Sequence, residues 1–185
     1  MTTRARFTDA EWAQLVAAPI VVGASMMAAS KRGLIGKVGE FFRLYRSLKT
    51  RRVPPELEQH ELVTALRHQL RALSISPLSA STRTEFSRAR GDAAAARQLM
   101  LAECKQVAVL LAARAPPAEA AGVKRWLMWI ARNVAGTTDH MRSGAEKTPN
   151  DLGFGALEQL ARALRTPVMP RVPAPERSPR ANPDI

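Results

Sequence analysis

Apolar residues recur at intervals of three and four positions through most of the chain between residues 7 and 165. That spacing places apolar side chains on one face of an α-helix, whereas a half-buried strand would show alternation with a period of two. No segment combines such alternation with enrichment in β-branched residues. Because the connections between the amphipathic segments are short, the pattern predicts an all-α fold, a single compact bundle of about six to seven helices.

The first predicted helix begins at Thr8. Thr8 and Glu11 form a capping box, in which each side chain accepts a hydrogen bond from the backbone N–H of the other residue. Pro19 lacks a backbone donor, so the helix either kinks there or stops and begins again. Residues 20–29 are apolar on nearly all sides, which predicts a central, buried helical segment.

Five further helices are predicted from apolar stripes that repeat every three or four residues. The first stripe is Leu34, Ile35, Val38, Phe41, Phe42, Tyr45 and Leu48, and the second, after Pro54-Pro55, is Leu62, Val63, Leu66, Leu70 and Leu73. The third stripe follows a cap at Asp92 and consists of Met100, Cys104, Val107 and Leu111, and the fourth follows Pro116-Pro117 and consists of Val123, Trp126, Leu127, Ile130 and Val134. The fifth lies between Phe154 and Arg165 and consists of Leu157, Leu160, Ala161 and Leu164. Residues 74–91 and 137–153 are predicted to be loops.

The helical domain is predicted to span residues 7–166. Residues 167–185 contain six prolines and few apolar groups, so they are predicted to form an extended, disordered tail. Residues 1–6 are also predicted to be disordered. Arg4 and Arg6 precede an apolar run as in a signal peptide, but the capping box interrupts that pattern. The run is also shorter than the roughly 20 residues of a membrane-spanning helix. We therefore expect a cytoplasmic protein, which suits its single cysteine.

The motifs of several large enzyme classes are missing from the sequence, among them GxxxxGK[ST], GxGxxG, HExxH and GxSxG. His60 and His68 lie about 12 Å apart along a predicted helix, too far to share a metal ion. Glu56 and His60 could contribute to a metal site, although an exposed polar face at a helix start explains them more simply. Cys104 falls within an apolar stripe and is predicted to be a buried thiol rather than a nucleophile. The sequence thus predicts a protein that is not an enzyme and holds no metal or cofactor.

Charge changes this picture. The chain has 28 Lys and Arg against 16 Asp and Glu, and the segment Lys31–Val53 contains eight of the basic residues with one acid, Glu40. Such a segment is either the solvated outer face of a bundle helix or a surface for nucleic acid, anionic lipid or an acidic protein. The candidate contact residues are Lys31, Arg32, Lys37, Arg43, Arg46, Lys49, Arg51 and Arg52.

Three stretches of the chain together resemble the bacterial TerB-like helical domains, named for a tellurite-resistance protein. The stretches are Phe7-Thr8-x-x-Glu11-Trp12-x-x-Leu15-x-x-Ala18-Pro19; Gly33-Leu34-Ile35-Gly36 with Glu40; and Glu119-Ala120-Ala121-x-Val123-Lys124-x-Trp126-Leu127-x-x-Ile130-Ala131-x-x-Val134-Ala135. The resemblance implies one compact all-α domain and, as in better-characterised members, acidic residues near helix ends as candidate ligands of a divalent metal.

This sequence departs from the family at the metal ligands. Lys31 and Arg32 stand where the first acidic turn is expected, and only Asp139 follows Ala135 within the next few residues. Asp151 could mark the later acidic position, but two scattered carboxylates do not make a site for a hard cation. No metal is therefore predicted.

Three hypotheses for the function follow. The first is a non-catalytic, cytoplasmic helical protein that acts through protein–protein contacts in a tellurite-type stress response. The alternative is a module that binds nucleic acid or an anionic surface through the segment Lys31–Arg52. A hydrolase or oxidoreductase without known motifs is the third. The oligomeric state is left open, since surplus apolar helix surface is compatible with a dimer.

Overall fold

The computed structural model describes residues 3–29, 53–72, 92–140 and 151–165. Within these ranges the chain forms six α-helices and one short 3-10 helix, and it has no strand. The prediction of an all-α fold is confirmed for this part of the chain. In chain order the elements are the 3-10 helix Thr3–Arg6, α1 Asp9–Ala29, α2 Pro55–Glu58, α3 Glu61–Ala72, α4 Ala93–Arg114, α5 Pro117–His140 and α6 Asp151–Ala163.

Helix α1 begins where the sequence predicts. The backbone N–H of Thr8 donates to Glu11 Oε2 at 2.7 Å, and the backbone N–H of Glu11 donates to Thr8 Oγ1 at 3.2 Å. These are the two hydrogen bonds of a capping box, and together they satisfy two backbone donors that have no partner inside the helix.

Helix α1 is also the central element of the bundle. It packs against α3, α4, α5 and α6, and every residue from Leu15 to Met26 is buried. The helix continues from Asp9 to Ala29 through Pro19, which therefore does not divide it. The prediction of a central, buried segment is confirmed over residues 20–26, where burial is described.

Helices α4 and α5 supply most of the remaining core. The N-cap of α4 is Asp92, whose Oδ1 accepts hydrogen bonds from the backbone N–H groups of Ala94 and Ala95 at 2.8 and 3.1 Å. The predicted stripes of both helices are buried, as expected from their spacing. They are Met100, Cys104, Val107 and Leu111, named the α4 core stripe below, and Val123, Trp126, Leu127, Ile130 and Val134 on α5.

Three predictions about element boundaries are wrong. The helix predicted after Pro54-Pro55 is divided into α2 and α3 by Gln59 and His60. The loop predicted over residues 137–153 is helical at both ends, because α5 runs to His140 and α6 begins at Asp151. Residues 3–6, predicted to be disordered, form a 3-10 turn.

Other predicted elements lie outside the described residues. They are the helix over residues 34–48, the loop over 74–91 and the proline-rich tail over 167–185. The domain boundary at residue 166 stays a prediction for the same reason.

Candidate functional site

The predicted basic surface cannot be built from the described residues. Lys31, Arg32, Lys37, Arg43, Arg46, Lys49, Arg51 and Arg52 all fall in the range 30–52, outside the described part of the chain. Their role in binding nucleic acid or an anionic surface stays a prediction. Two other groups of polar side chains are described in atomic detail, one buried between α3 and α5 and one exposed between α1 and α4.

The buried group is centred on His60, which precedes the first residue of α3. Its backbone carbonyl accepts the N–H of Thr64 at 3.0 Å, which is the first hydrogen bond of the helix. The imidazole is directed at α5, where Arg125 lies 2.9 Å from Nε2 and Glu119 Oε1 lies 3.7 Å from Nδ1. His60 is only 6% exposed, so the interpretation of an exposed polar face at a helix start is wrong for this residue.

Arg125 and Glu119 approach the two different nitrogens of the His60 ring. A guanidinium group can only donate hydrogen bonds, so Nε2 is the acceptor in the contact with Arg125. The other ring nitrogen, Nδ1, faces the Glu119 carboxylate. At 3.7 Å this second contact is electrostatic rather than a hydrogen bond. Both ring nitrogens are thus directed at charged partners inside the fold.

Glu119 links this group to the start of α3. Its Oε2 accepts the backbone N–H of Leu62 at 2.7 Å, so a side chain of α5 provides the cap that the sequence around α3 lacks. A second contact secures the same corner, because Arg67 Nη1 of α3 donates to Glu58 Oε1 of α2 at 3.1 Å. The arrangement ties α2, α3 and α5 together.

Cys104 is buried in the α4 core stripe, as its spacing predicts. Desolvation by burial, followed by the negative charge of Glu103, raises the pKa of the thiol to about 12. The thiolate, which is the nucleophilic form, is therefore scarcely populated at neutral pH. Among the described residues no group of three His, Cys, Asp or Glu side chains converges in a way that could hold a metal ion.

The exposed group forms an open groove of about 690 Å³ between α1 and α4, named the α1/α4 groove. Two interhelical contacts cross it: Gln14 Nε2 donates to Gln106 Oε1 at 2.7 Å, and Arg114 Nε donates to Glu11 Oε1 at 3.2 Å. The groove is lined by Glu11, Gln14, Lys105, Gln106, Val109, Leu110, Ala113 and Arg114.

Two features distinguish the α1/α4 groove from an ordinary solvated surface. Val109 is 67% exposed, and among the described residues it is the one large hydrophobic side chain that lies mostly in solvent. Lys105, one helical turn before it, is exposed and has no ion-pair partner within the described ranges. The spacing of the α4 core stripe predicts which face of the helix is buried, but it does not mark the apolar residues of the opposite face as a contact surface, because single apolar side chains are common on protein surfaces.

The charge of Glu11 is stabilised at the end of this groove. The hydrogen bond from the backbone N–H of Thr8 lowers the pKa of the Glu11 carboxyl below 4.5, and the Thr8 hydroxyl and the positive charge of Arg114 act in the same direction. Glu11 therefore stays ionised at neutral pH and keeps one side of the Arg114 guanidinium occupied.

None of the helices in the described ranges combines the length and the apolar character that crossing a membrane requires. The sequence matches no protein-family model, and neither a curated protein nor a solved structure matches it. The resemblance to TerB-like domains therefore stays a prediction, as do the functions that it implies.

Proposed function

We propose that the protein is a non-catalytic, cytoplasmic module that acts by binding another protein, and that the α1/α4 groove is its contact surface. The observation that carries this proposal is the exposed Val109, set in an open groove whose walls are two long helices. Core residues of protein interfaces are typically apolar side chains surrounded by polar ones. Here Lys105, the Gln14–Gln106 pair and the Glu11–Arg114 pair form the polar surroundings.

The buried polar side chains support a structural rather than a catalytic role. Both nitrogens of His60 face charged groups, and the Cys104 thiol is desolvated. A general base or nucleophile needs a free lone pair within reach of a substrate. The resemblance to TerB-like domains suggests a tellurite-type stress response as the setting in which such a protein contact would act.

Site-specific photocrosslinking tests the proposal. Val109 is replaced by benzoylphenylalanine in the full chain, and Ala121, an exposed residue of α5 outside the groove, is replaced in the same way as the control. We expect the photoreactive residue at position 109 to form a covalent adduct with another protein, and the same residue at position 121 to form little or none. An excess of the unmodified protein should suppress the adduct at position 109. Equal labelling at the two positions, or none at either, would overturn the proposal.

The concentration of charge in the segment Lys31–Arg52 favours a second candidate, a module that binds nucleic acid. Eight basic residues against one acid would attract phosphates with an affinity that falls as salt rises. The test is the fluorescence anisotropy of a labelled generic duplex at low and at physiological salt. Changing Lys37, Arg43, Arg46 and Lys49 to Glu should abolish binding, whereas the same charge change at Lys147, Arg171, Arg177 and Arg180 should preserve most of it. A flat titration of the unmodified protein at low salt would exclude this function.

A further inference from the structure

Helix α4 carries apolar residues on two opposite faces. The α4 core stripe is buried in the bundle, but Ala102, Val109 and Ala113 on the other face are exposed. These three residues follow one another at intervals of seven and four, which aligns them along the helix axis. An apolar line on the face opposite the core stripe is a candidate contact surface, and this side of α4 is open in the described part of the chain.

The shape of the open side suits another helix. From Ala102 to Ala113 the exposed line is about 16 Å long, or three helical turns. Two packed helices form a groove between them, and a third helix can lie in that groove at an interaxial distance of about 8–10 Å when the contact residues are small. Val109 and Ala113 of this line also belong to the lining of the groove. The small side chain of Ala113 permits such an approach, and Val109 provides the largest exposed apolar contact.

The charges of the groove select an acidic partner. Lys105 is exposed beside Val109 and has no ion pair within the described ranges, so it offers an ammonium group to an incoming carboxylate. Arg114 at the other end is already bound to Glu11, which leaves that end close to neutral. The whole chain has 12 more positive than negative charges at pH 7, and this excess accelerates the approach of an acidic partner.

We infer that the α1/α4 groove binds an acidic amphipathic helix of a partner protein, with the apolar face of that helix on Val109 and a carboxylate at Lys105. This inference rests on the proposed function and adds the chemistry of the partner. It differs from the nucleic-acid hypothesis in using residues of α1 and α4 rather than the segment Lys31–Arg52.

Three synthetic helical peptides of 21 residues serve as probes. They share Leu and Ala at the heptad core positions and differ only in carrying Glu, Gln or Lys at the flanking positions. Their anisotropy is titrated with the full chain and with four variants: Val109→Gln and Lys105→Gln in the groove, and Ala121→Gln and Arg6→Gln at exposed positions outside it. All four positions are at the surface, so folding should be unaffected.

We expect the Glu peptide to bind about tenfold more tightly than the Gln peptide, and the Lys peptide not to bind. Val109→Gln should weaken the Glu and Gln peptides about fivefold each. Lys105→Gln should weaken only the Glu peptide, about threefold, and should flatten its salt dependence. The two control variants should bind like the original protein.

Other outcomes would overturn the inference in distinguishable ways. Equal binding of the Glu and Gln peptides, weakened by Val109→Gln, would refute the acidic partner but leave the protein-binding groove in place. If the Glu peptide bound both groove variants as tightly as the original protein, its binding site would be another basic surface. An adduct at position 109 with a second copy of the chain, or with residues 31–52 of the same chain, would assign the groove to that occupant instead.

Discussion

The imidazole of His60 lies directly against the backbone of Gly122 on α5. A Cβ atom at Gly122 would come within 2.6 Å of His60 Cδ2 and 2.8 Å of His60 Nδ1, distances that no real side chain tolerates. Because Gly122 has no side chain, the His60 ring fits against α5 in a position from which it contacts both Glu119 and Arg125. This close contact explains why a glycine is found within a helix, where it otherwise lowers stability.

Gly122→Ala should destabilise the protein. The added methyl group overlaps a ring that Arg125 and Glu119 hold from two sides, and overpacking of this kind costs about 1–3 kcal/mol in the free energy of unfolding. Gly155→Ala in α6 is the matched control, because nothing lies within 4 Å of its Cβ and the helix should gain up to about 1 kcal/mol. Urea unfolding of both variants measures the difference. Equal stability of the two variants would contradict the described position of the ring.

Glu119→Ala should weaken the start of α3 although Glu119 belongs to α5. Its carboxylate accepts the Leu62 N–H, so its loss leaves a helix N-terminus without a cap and should cost about 1–2 kcal/mol in the free energy of unfolding. Glu119→Gln, which keeps an acceptor oxygen, should lose less. Hydrogen exchange of the Leu62 amide should accelerate in the alanine variant. Glu56 is an exposed acidic residue of α2, and Glu56→Ala should leave the exchange rate of the Leu62 amide unchanged. This control shows whether the loss of any acidic side chain has the same effect.

The hydrogen bond from the Thr8 backbone is expected to be the main cause of the low pKa of Glu11. The Thr8 backbone N–H and hydroxyl lower this pKa below 4.5, so the ionised carboxylate stabilises the folded state above about pH 4.5 and this contribution disappears as the pH falls through the folded pKa. A carboxyl-detected NMR titration should find Glu11 below 4.5. Arg114→Gln should raise the pKa only in part, because the Thr8 backbone hydrogen bond is the larger cause. Full recovery of the ordinary value in Arg114→Gln would show that the ion pair dominates.

Local signals in the sequence correctly predict much of the fold. The capping box at Thr8 and Glu11 involves residues three positions apart, and the α4 core stripe follows from helical spacing alone. The capping box closes within one helical turn, and the residues of the stripe recur about once per turn of α4. Such features can be recognised in a sequence because the chain itself brings the residues together.

The corner formed by α2, α3 and α5 could not be predicted in this way. Apolar spacing after Pro55 fits one continuous helix, whereas the structure has a separate α3 whose start is capped by Glu119, 57 positions from the Leu62 N–H that it accepts. The prediction of a loop from residue 137 is wrong for a different reason. Gly and Thr at residues 136–138 have low helix propensity, but α5 continues through them to His140. The α1/α4 groove is not predictable from the sequence because it depends on the packing of α1 beside α4, which brings Glu11 and Gln14 next to residues more than 90 positions away.

The thiol of Cys104 makes the stability of the protein depend on alkaline pH. Burial raises its pKa from 9.0 to about 12, so between these values the unfolded chain loses this proton while the folded protein retains it. The unfolded state then binds fewer protons, and the free energy of unfolding falls as the pH rises, by up to about 1.4 kcal/mol per pH unit from this group. Urea unfolding between pH 8 and pH 10.5 measures the slope, with Cys104→Ala as the control in which this contribution is missing. The native thiol should also react with a disulfide reagent at pH 8 only as fast as the protein opens, and rapid labelling of the folded protein would contradict its burial.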